Sequence, residues 1–342
     1  MPSPRSVLLV KLSAIGDVLH GIPVAVALRR AFPRAEIGWV VEGRTADLLD
    51  GHRAIDRIFR LPRGWAKRGG EWLRLRRELR AFAPDVTIDM QGLCKSAIVT
   101  LLSAAPVRIG PAGADAREGS WLATTCRVPS DAAHVVERNL ALVSALGVAP
   151  GMPSFAMPSW PLPAARMTKF VATLGDGLPP VIVNPGAGWP SKLWAEDRFA
   201  AVARRLAQEQ GRRTIVVWGG KAEQAAAERI VEASGATLAP QTSLQELAEL
   251  CRLADLFISS DTGPLHLAAA VGTPCVGLFG PVPATRNGPW GDGHATVEPP
   301  PEVRPPWRER KTDSRAMAGI GVDEVVAAAG AVLRQSRRRA AC

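Results

Sequence analysis

Four stretches carry side chains that could do chemistry, and each begins where an apolar run gives way to small residues. The first is Lys11-Leu-Ser-Ala-Ile-Gly-Asp17. Small residues let the backbone turn sharply and leave N–H groups at a helix start, with the Asp17 carboxylate projecting from the turn; Asp is equally a favoured N-cap. The second is Asn184-Pro-Gly-Ala-Gly-Trp-Pro-Ser-Lys192-Leu-Trp194. A Gly-rich loop followed by Lys192 at a helix entry suits a diphosphate, whose charge backbone N–H groups and one ammonium would neutralise. It also suits a tight turn with a surface lysine. The third is Trp218-Gly-Gly-Lys-Ala-Glu223, where an early helical carboxylate could hold the hydroxyl pair of a ribose, or simply favour a positive helix end. The fourth is Ser259-Ser-Asp261-Thr262-Gly263-Pro-Leu-His266. Donors gathered at a helix N-terminus hold anions well, and Asp-Thr-Gly-x-x-His as a unit is more than a capped helix needs.

The elements that must position these stretches alternate between strand and helix. Val7 to Leu12 reads as a strand, about Val18 to Ala31 as a helix stopped near Pro33, and Ile37 to Val41 as a second strand. Residues 71–83 form a basic amphipathic helix, Val86 to Asp89 a buried strand ending in Gln91-Gly92, and another helix starts near Lys95. Val135 to Leu146 is a helix capped by Gly147. Six of the residues 149–163 are Pro or Gly, the clearest linker in the chain. A second alternating series follows: strands at 181–183, 214–218, 256–260 and 275–279, and helices at 199–210, 221–233, 243–253 and 264–271. A Pro-rich loop at 299–306 and a terminal helix from Val322 to Leu333 complete the chain. Strands alternating with helices give a mostly parallel sheet covered on both faces. The expected class is therefore α/β: two doubly wound domains about a cleft, with ligands at the carboxyl ends of the strands. The expected boundaries are 1–160, 161–315, and a segment 316–342 whose helix packs back on the first domain ahead of a basic tail.

The 342 residues carry a net charge of +10, and the excess is local. Residues 57–80 contribute +7 and residues 301–342 contribute +4, so the remainder is close to neutral. The Arg337–Arg339 tail reads as a solvated end. Residues 57–80, with Trp65 and Trp72, suit either a solvated helix face or an anionic partner: phosphate, carboxylate, lipid surface or nucleic acid. The missing signatures of RNA-binding modules and the neutral remainder argue against nucleic acid. Five scattered cysteines, with no C-x-x-C pair, argue against a zinc site or a disulfide framework and suit a reducing compartment. No apolar run of 18 residues occurs, and the first residues lack the pattern of a cleavable leader. The G-x-G-x-x-G dinucleotide fingerprint, H-E-x-x-H and G-x-S-x-G are all absent.

Taken in order, four motifs resemble those of the ADP-heptose:lipopolysaccharide heptosyltransferases, glycosyltransferase family 9. They are Lys-Leu-Ser-Ala-Ile-Gly-Asp-Val-Leu-His (11–20), Asp-Met-Gln-Gly-Leu-Cys-Lys-Ser (89–96), Pro-Gly-Ala-Gly-Trp-Pro-Ser-Lys-Leu-Trp (185–194) and Asp-Thr-Gly-Pro-Leu-His (261–266). The likeness runs from Val7 to about Glu298. The first two motifs, with Arg117-Glu118 and residues 134–139, look most like the heptosyltransferase I subgroup. The resemblance implies a GT-B fold and transfer of heptose, with inversion, from ADP-heptose to a Kdo residue of Kdo-lipid A. It implies no cofactor and no metal, and work at the cytoplasmic face of an inner membrane in peripheral contact with its anionic surface. Asp17 would be the general base. Lys192, Glu223, Asp261, Thr262, Gly263 and His266 would bind the donor; Ser13, Arg60, Arg63, Lys67 and Arg117 would bind the acceptor. A transferase of the same family with another sugar or acceptor, such as heptosyltransferase II, is the alternative. Two departures stand out. Residues 302–316 lack the cysteines many relatives carry there, which removes any role those have. Asn184 stands where a His often begins the second-domain loop.

Overall fold

The computed structural model describes residues 3–175, 177–306 and 308–340. It divides into two compact units that meet in sequence between Pro158 and Ser159. The side chains of Arg337, Arg338 and Arg339 in the expected basic tail lie outside the described residues, as does Cys342.

The first unit holds six parallel strands: β1 (Ser6–Val10), β2 (Glu36–Glu42), β3 (Arg57–Leu61), β4 (Val86–Asp89), β5 (Val107–Pro111) and β6 (Cys126–Val128). Their spatial order is β3-β2-β1-β4-β5-β6. Helices α1 (Ile15–Ala31), α2 (Gly69–Phe82), α3 (Cys94–Leu102) and α4 (Val135–Ala141) connect or cover them. β1 and β4 are buried along their whole length, as continuous apolar runs in the middle of a parallel sheet must be. The predicted helix 135–146 changes to a 3-10 helix at Leu142 before Gly147 ends it in a left-handed conformation.

The second unit repeats the plan with β7 (Val181–Asn184), β8 (Thr214–Val216), β9 (Thr237–Leu238), β10 (Leu256–Ser260), β11 (Cys275–Leu278) and β12 (Ala295–Val297). Their order is β9-β8-β7-β10-β11-β12, again wholly parallel. Its helices are α5 (Pro161–Ala172), α6 (Glu196–Gln210), α7 (Lys221–Ser234), α8 (Leu244–Arg252), α9 (Gly263–Ala270), α10 (Ala284–Asn287), α11 (Arg315–Ala318) and α12 (Val322–Ala340). The sequence reading placed the last helix against the first domain. Its apolar stripe, Val325, Val326, Ala329, Val332 and Leu333, is instead part of the second unit's core, beside Val183, Leu206 and Ile258. The cause is its period: those positions recur at helical spacing and find an apolar partner surface on the adjacent sheet.

In each sheet the connection reverses direction between two central strands, β1 and β4 in the first and β7 and β10 in the second. Such a switch point opens a crevice at the carboxyl ends of the two strands. The four motifs that carry the resemblance follow β1, β4, β7 and β10, and residues 218–223 follow β8. Among the described residues no helix is long and apolar enough to cross a membrane, and Cys94, Cys126, Cys251 and Cys275 are free thiols.

Candidate functional site

In the second unit Asp261 is the hub. It follows β10 directly and is 7% exposed. Lys192 Nζ donates to its Oδ2 at 2.5 Å, His266 Nε2 lies 3.2 Å from Oδ1, and Asn287 Nδ2 reaches both oxygens at 3.1 Å. Burial pushes the Asp261 carboxyl up, but the His266 hydrogen bond and the Lys192 charge outweigh burial and hold it at about 2. Lys192 also sits 4.4 Å from the Trp189 ring centre, a cation over an indole face. It reaches this place because residues 190–192 make one 3-10 turn after the loop 185–189 leaves β7.

The neighbouring switch-point strand is tied to the same hub. Asn184, at the end of β7, donates to Ser259 Oγ at 2.9 Å and Thr262 Oγ1 at 3.3 Å, both on the β10 side. Thr262 Oγ1 also caps α9 by accepting from Leu265 N–H. The Thr262 hydroxyl is thus a strut, and what α9 offers outward is the Gly263 N–H, since Pro264 has none and the Leu265 and His266 N–H groups are held by Thr262. Glu223 joins this loop from the third exit. Its carboxylate accepts the Gly219 N–H at 2.8 Å and lies against Gly186, where an added methyl group would stand 2.5 Å from Glu223 Cδ. Only glycine at position 186 permits that approach.

The first unit builds a different environment. Asp17 lies in the first turn of α1, is exposed, and accepts the Ala14 N–H at 3.0 Å. The carboxylate thus serves as a cap and still faces solvent. The turn before it is pinned by Gln91 from the exit of β4. Gln91 Oε1 accepts the Leu12 N–H at 2.7 Å, and Gln91 Nε2 donates to the Ser13 carbonyl at 3.3 Å. Asp89 in turn holds the Gln91 and Gly92 N–H groups and the Ser96 hydroxyl. Burial pushes the Asp89 carboxyl up, against those hydrogen bonds and the nearby Lys11 charge.

The expected acceptor residues reach this edge by two routes. Arg117 N–H donates to the Gly92 carbonyl at 2.9 Å, and its side chain is exposed. Gly92 has φ +62 and lies against the Asp115 carbonyl, so a side chain there is excluded twice. Arg63 and Lys67, both exposed, flank Gly64, whose N–H reaches Glu42 Oε1; Glu42 N–H donates to the Leu12 carbonyl. Arg60 does not share this freedom. It pairs with Asp47 at 2.7 Å and Asp50 at 2.5 Å, so its charge is already met. Part of the basic segment is likewise paired: Arg74 bridges Glu71 and Glu78.

Lys192, Asp261 and His266 therefore form one network, joined to Thr262 through Asn184 and bordered by Glu223. Three contributors were not foreseen: Asn287, Gln91 and the role of Asn184. Asn287 lies on a four-residue helix that gives no periodic signal, although it follows another strand exit.

The sequence model of glycosyltransferase family 9 (heptosyltransferase) matches residues 72–312. Lipopolysaccharide heptosyltransferase 1 of Pseudomonas aeruginosa is 32% identical over 305 residues, covering 83% of this chain and 81% of that protein. The E. coli heptosyltransferase WaaC with ADP superposes with a TM-score of 0.80 at 26% identity, over 96% of this chain and 99% of that one. The same enzyme with ADP-2-deoxy-2-fluoro heptose gives 0.76 at 26% identity, over 94% and 97%. The pair of doubly wound sheets is the GT-B fold.

Proposed function

The chain belongs to glycosyltransferase family 9 and is a glycosyltransferase; from this premise we propose that it moves a heptose, with inversion, from ADP-heptose to a Kdo residue of Kdo-lipid A in lipopolysaccharide core synthesis. The observation that carries the reading is the Lys192–Asp261–His266 network beside the N-terminus of α9, a built site for a diphosphate. The solved relatives with ADP and with a fluorinated ADP-heptose support the same donor.

The chemistry follows from the groups available. The acceptor hydroxyl oxygen attacks the anomeric carbon of the heptose while the bond from that carbon to the distal phosphate oxygen breaks. Asp17, an exposed carboxylate on a pinned turn, takes the hydroxyl proton, because a sugar hydroxyl is a poor nucleophile until that proton leaves. The departing ADP gains negative charge. Lys192 and the Gly263 N–H at the start of α9 meet it without reorganising, since Asp261 already holds the lysine in place. Asp261 itself orients Lys192 and His266 in this reading, because its two oxygens are taken by three donors. Glu223 is poised for the ribose hydroxyls.

Ser13, Arg63, Lys67 and Arg117 form the acceptor side, where the carboxylates and phosphates of Kdo-lipid A need cations. Arg60 serves as the strut that holds Asp47 and Asp50. A peripheral position on an anionic membrane face is supported by α2, which exposes Leu73, Arg76, Arg77 and Arg80 along one stripe, and by exposed Leu101, Trp121 and Leu122. The direct test is incubation with ADP-heptose and Kdo-lipid A, alongside other nucleotide sugars and an acceptor that already carries one heptose. One added heptose on Kdo-lipid A is expected. Transfer only to the heptosylated acceptor would favour a heptosyltransferase II-like role, and no transfer from any ADP-sugar would reject the donor reading.

A further inference from the structure

Residues 308–313 are bound to the donor loop. Ser191, fully buried within that loop, donates its hydroxyl to the Arg310 carbonyl at 2.7 Å. The segment is shaped by its own hydrogen bonds: Thr312 N–H and Asp313 N–H both reach the Glu309 carbonyl. Asp313 then pairs with Arg315 at the start of α11. This anchoring brings two more cations to the Trp189 indole, Lys311 Nζ at 5.2 Å from the ring centre and Arg310 Cζ at 5.8 Å. With Lys192 at 4.4 Å, three positive groups surround one aromatic ring.

Cations this close repel one another, and an exposed cation–indole contact returns only about 0.5–1 kcal/mol. Asp261 pairs with Lys192. A cluster of this kind matches a polyanion with two adjacent charged groups, and the donor loop is where the diphosphate belongs in the function proposed above, on which this inference rests. We propose that Arg310 and Lys311 form a second cationic arm of the donor site, which holds the diphosphate of the leaving ADP. The arm supplies charge through the guanidinium of Arg310, suited to two phosphate oxygens at once, and the mobile ammonium of Lys311. Trp189 is the platform that keeps all three groups on one side.

The test compares ADP with AMP by calorimetry, because AMP lacks the distal phosphate. In Arg310→Gln/Lys311→Gln, ADP affinity should fall about tenfold, or on the order of 1.4 kcal/mol. AMP affinity should change less than about twofold, since the distal phosphate supplies the difference. The salt dependence of ADP binding should flatten, and Arg310→Lys/Lys311→Arg should restore most of the affinity. Thermal melting of the full chain checks that both variants fold, since Arg310 is half-buried and Lys311 exposed. If the double variant keeps wild-type ADP affinity while Lys192→Ala loses it, the arm is overturned and the donor reading stands. If the wild-type chain binds no ADP, both are overturned. If ADP and AMP weaken equally, the residues act through the loop's shape and the arm is again rejected.

Discussion

Asp17 and Asp261 are both aspartates that follow a switch-point strand, and their carboxylates live in opposite surroundings. Asp261 is 7% exposed, is shared among Lys192, His266 and Asn287, and is held ionised down to about pH 2. Asp17 is exposed and accepts the Ala14 N–H. A saturated, buried carboxylate has no lone pair in hand for a substrate proton; it is a fixed countercharge that keeps a lysine aimed. An exposed carboxylate on a braced turn keeps its access to a hydroxyl. Environment, rather than residue type, assigns one to chemistry and the other to scaffolding.

That contrast breaks most sharply at Asp17. Asp17→Ala should lower turnover by about a thousandfold, the middle of the range for removing a general base, while ADP affinity by calorimetry stays within about twofold. Equal turnover would hand the base role to another group. Next in size are the partners in the second unit. Lys192→Ala should weaken ADP binding by roughly ten- to a hundredfold, the worth of a charge-assisted hydrogen bond to phosphate. Asp261→Asn should do the same and also lower stability by about 3 kcal/mol, because a buried lysine loses its countercharge; denaturant unfolding reads this directly.

The buried carboxylate also predicts an acid signature. Its folded pKa of about 2 lies below the ordinary value of 3.8. The stabilisation is therefore complete above pH 3.8 and is lost as pH falls through about 2, on the order of 2 kcal/mol in all. Asp261→Asn should remove that slope from the acid unfolding curve. A smaller effect is expected from the brace of the exposed site. Gln91→Ala should reduce kcat about tenfold through a loosened turn and leave the acceptor KM nearly unchanged; a rise in KM alone would assign Gln91 to substrate contact. The smallest is the combined loss of Arg63, Lys67 and Arg117. It should raise acceptor KM about fivefold and flatten its dependence on salt, as screened surface charges do.

Much of this was legible in the residues, and unevenly so between the two units. The second unit's motifs are local: Asn184 to Lys192 and Asp261 to His266 each carry their ligands within ten residues of a strand exit. Among its strands β9 and β12 escaped notice, at two and three residues each, and so did helices α5, α10 and α11. In the first unit β3 was hidden because Arg57-Ile-Phe-Arg-Leu61 reads as part of a basic segment. It is an outer strand, whose two exposed arginines stand on either side of the buried Phe59 with no regular alternation. β5 and β6 lie toward the other edge, where little apolar pattern is needed. Gln91 could not be found from spacing. Its partners lie 78 and 79 residues away and meet it only because β1 pairs with β4. Arg310 and Lys311 likewise became informative only once Ser191 was seen to anchor them.

Donor dependence separates the two aspartates most directly. Heptose transfer to Kdo-lipid A is followed by product mass for the wild-type chain, Asp17→Ala and Asp261→Asn across rising ADP-heptose. Saturating donor should return Asp261→Asn to within about tenfold of the wild-type rate, since what it lost is grip on the nucleotide, and should do nothing for Asp17→Ala. Recovery of Asp17→Ala at high donor would contradict the assignment of the exposed carboxylate to proton removal.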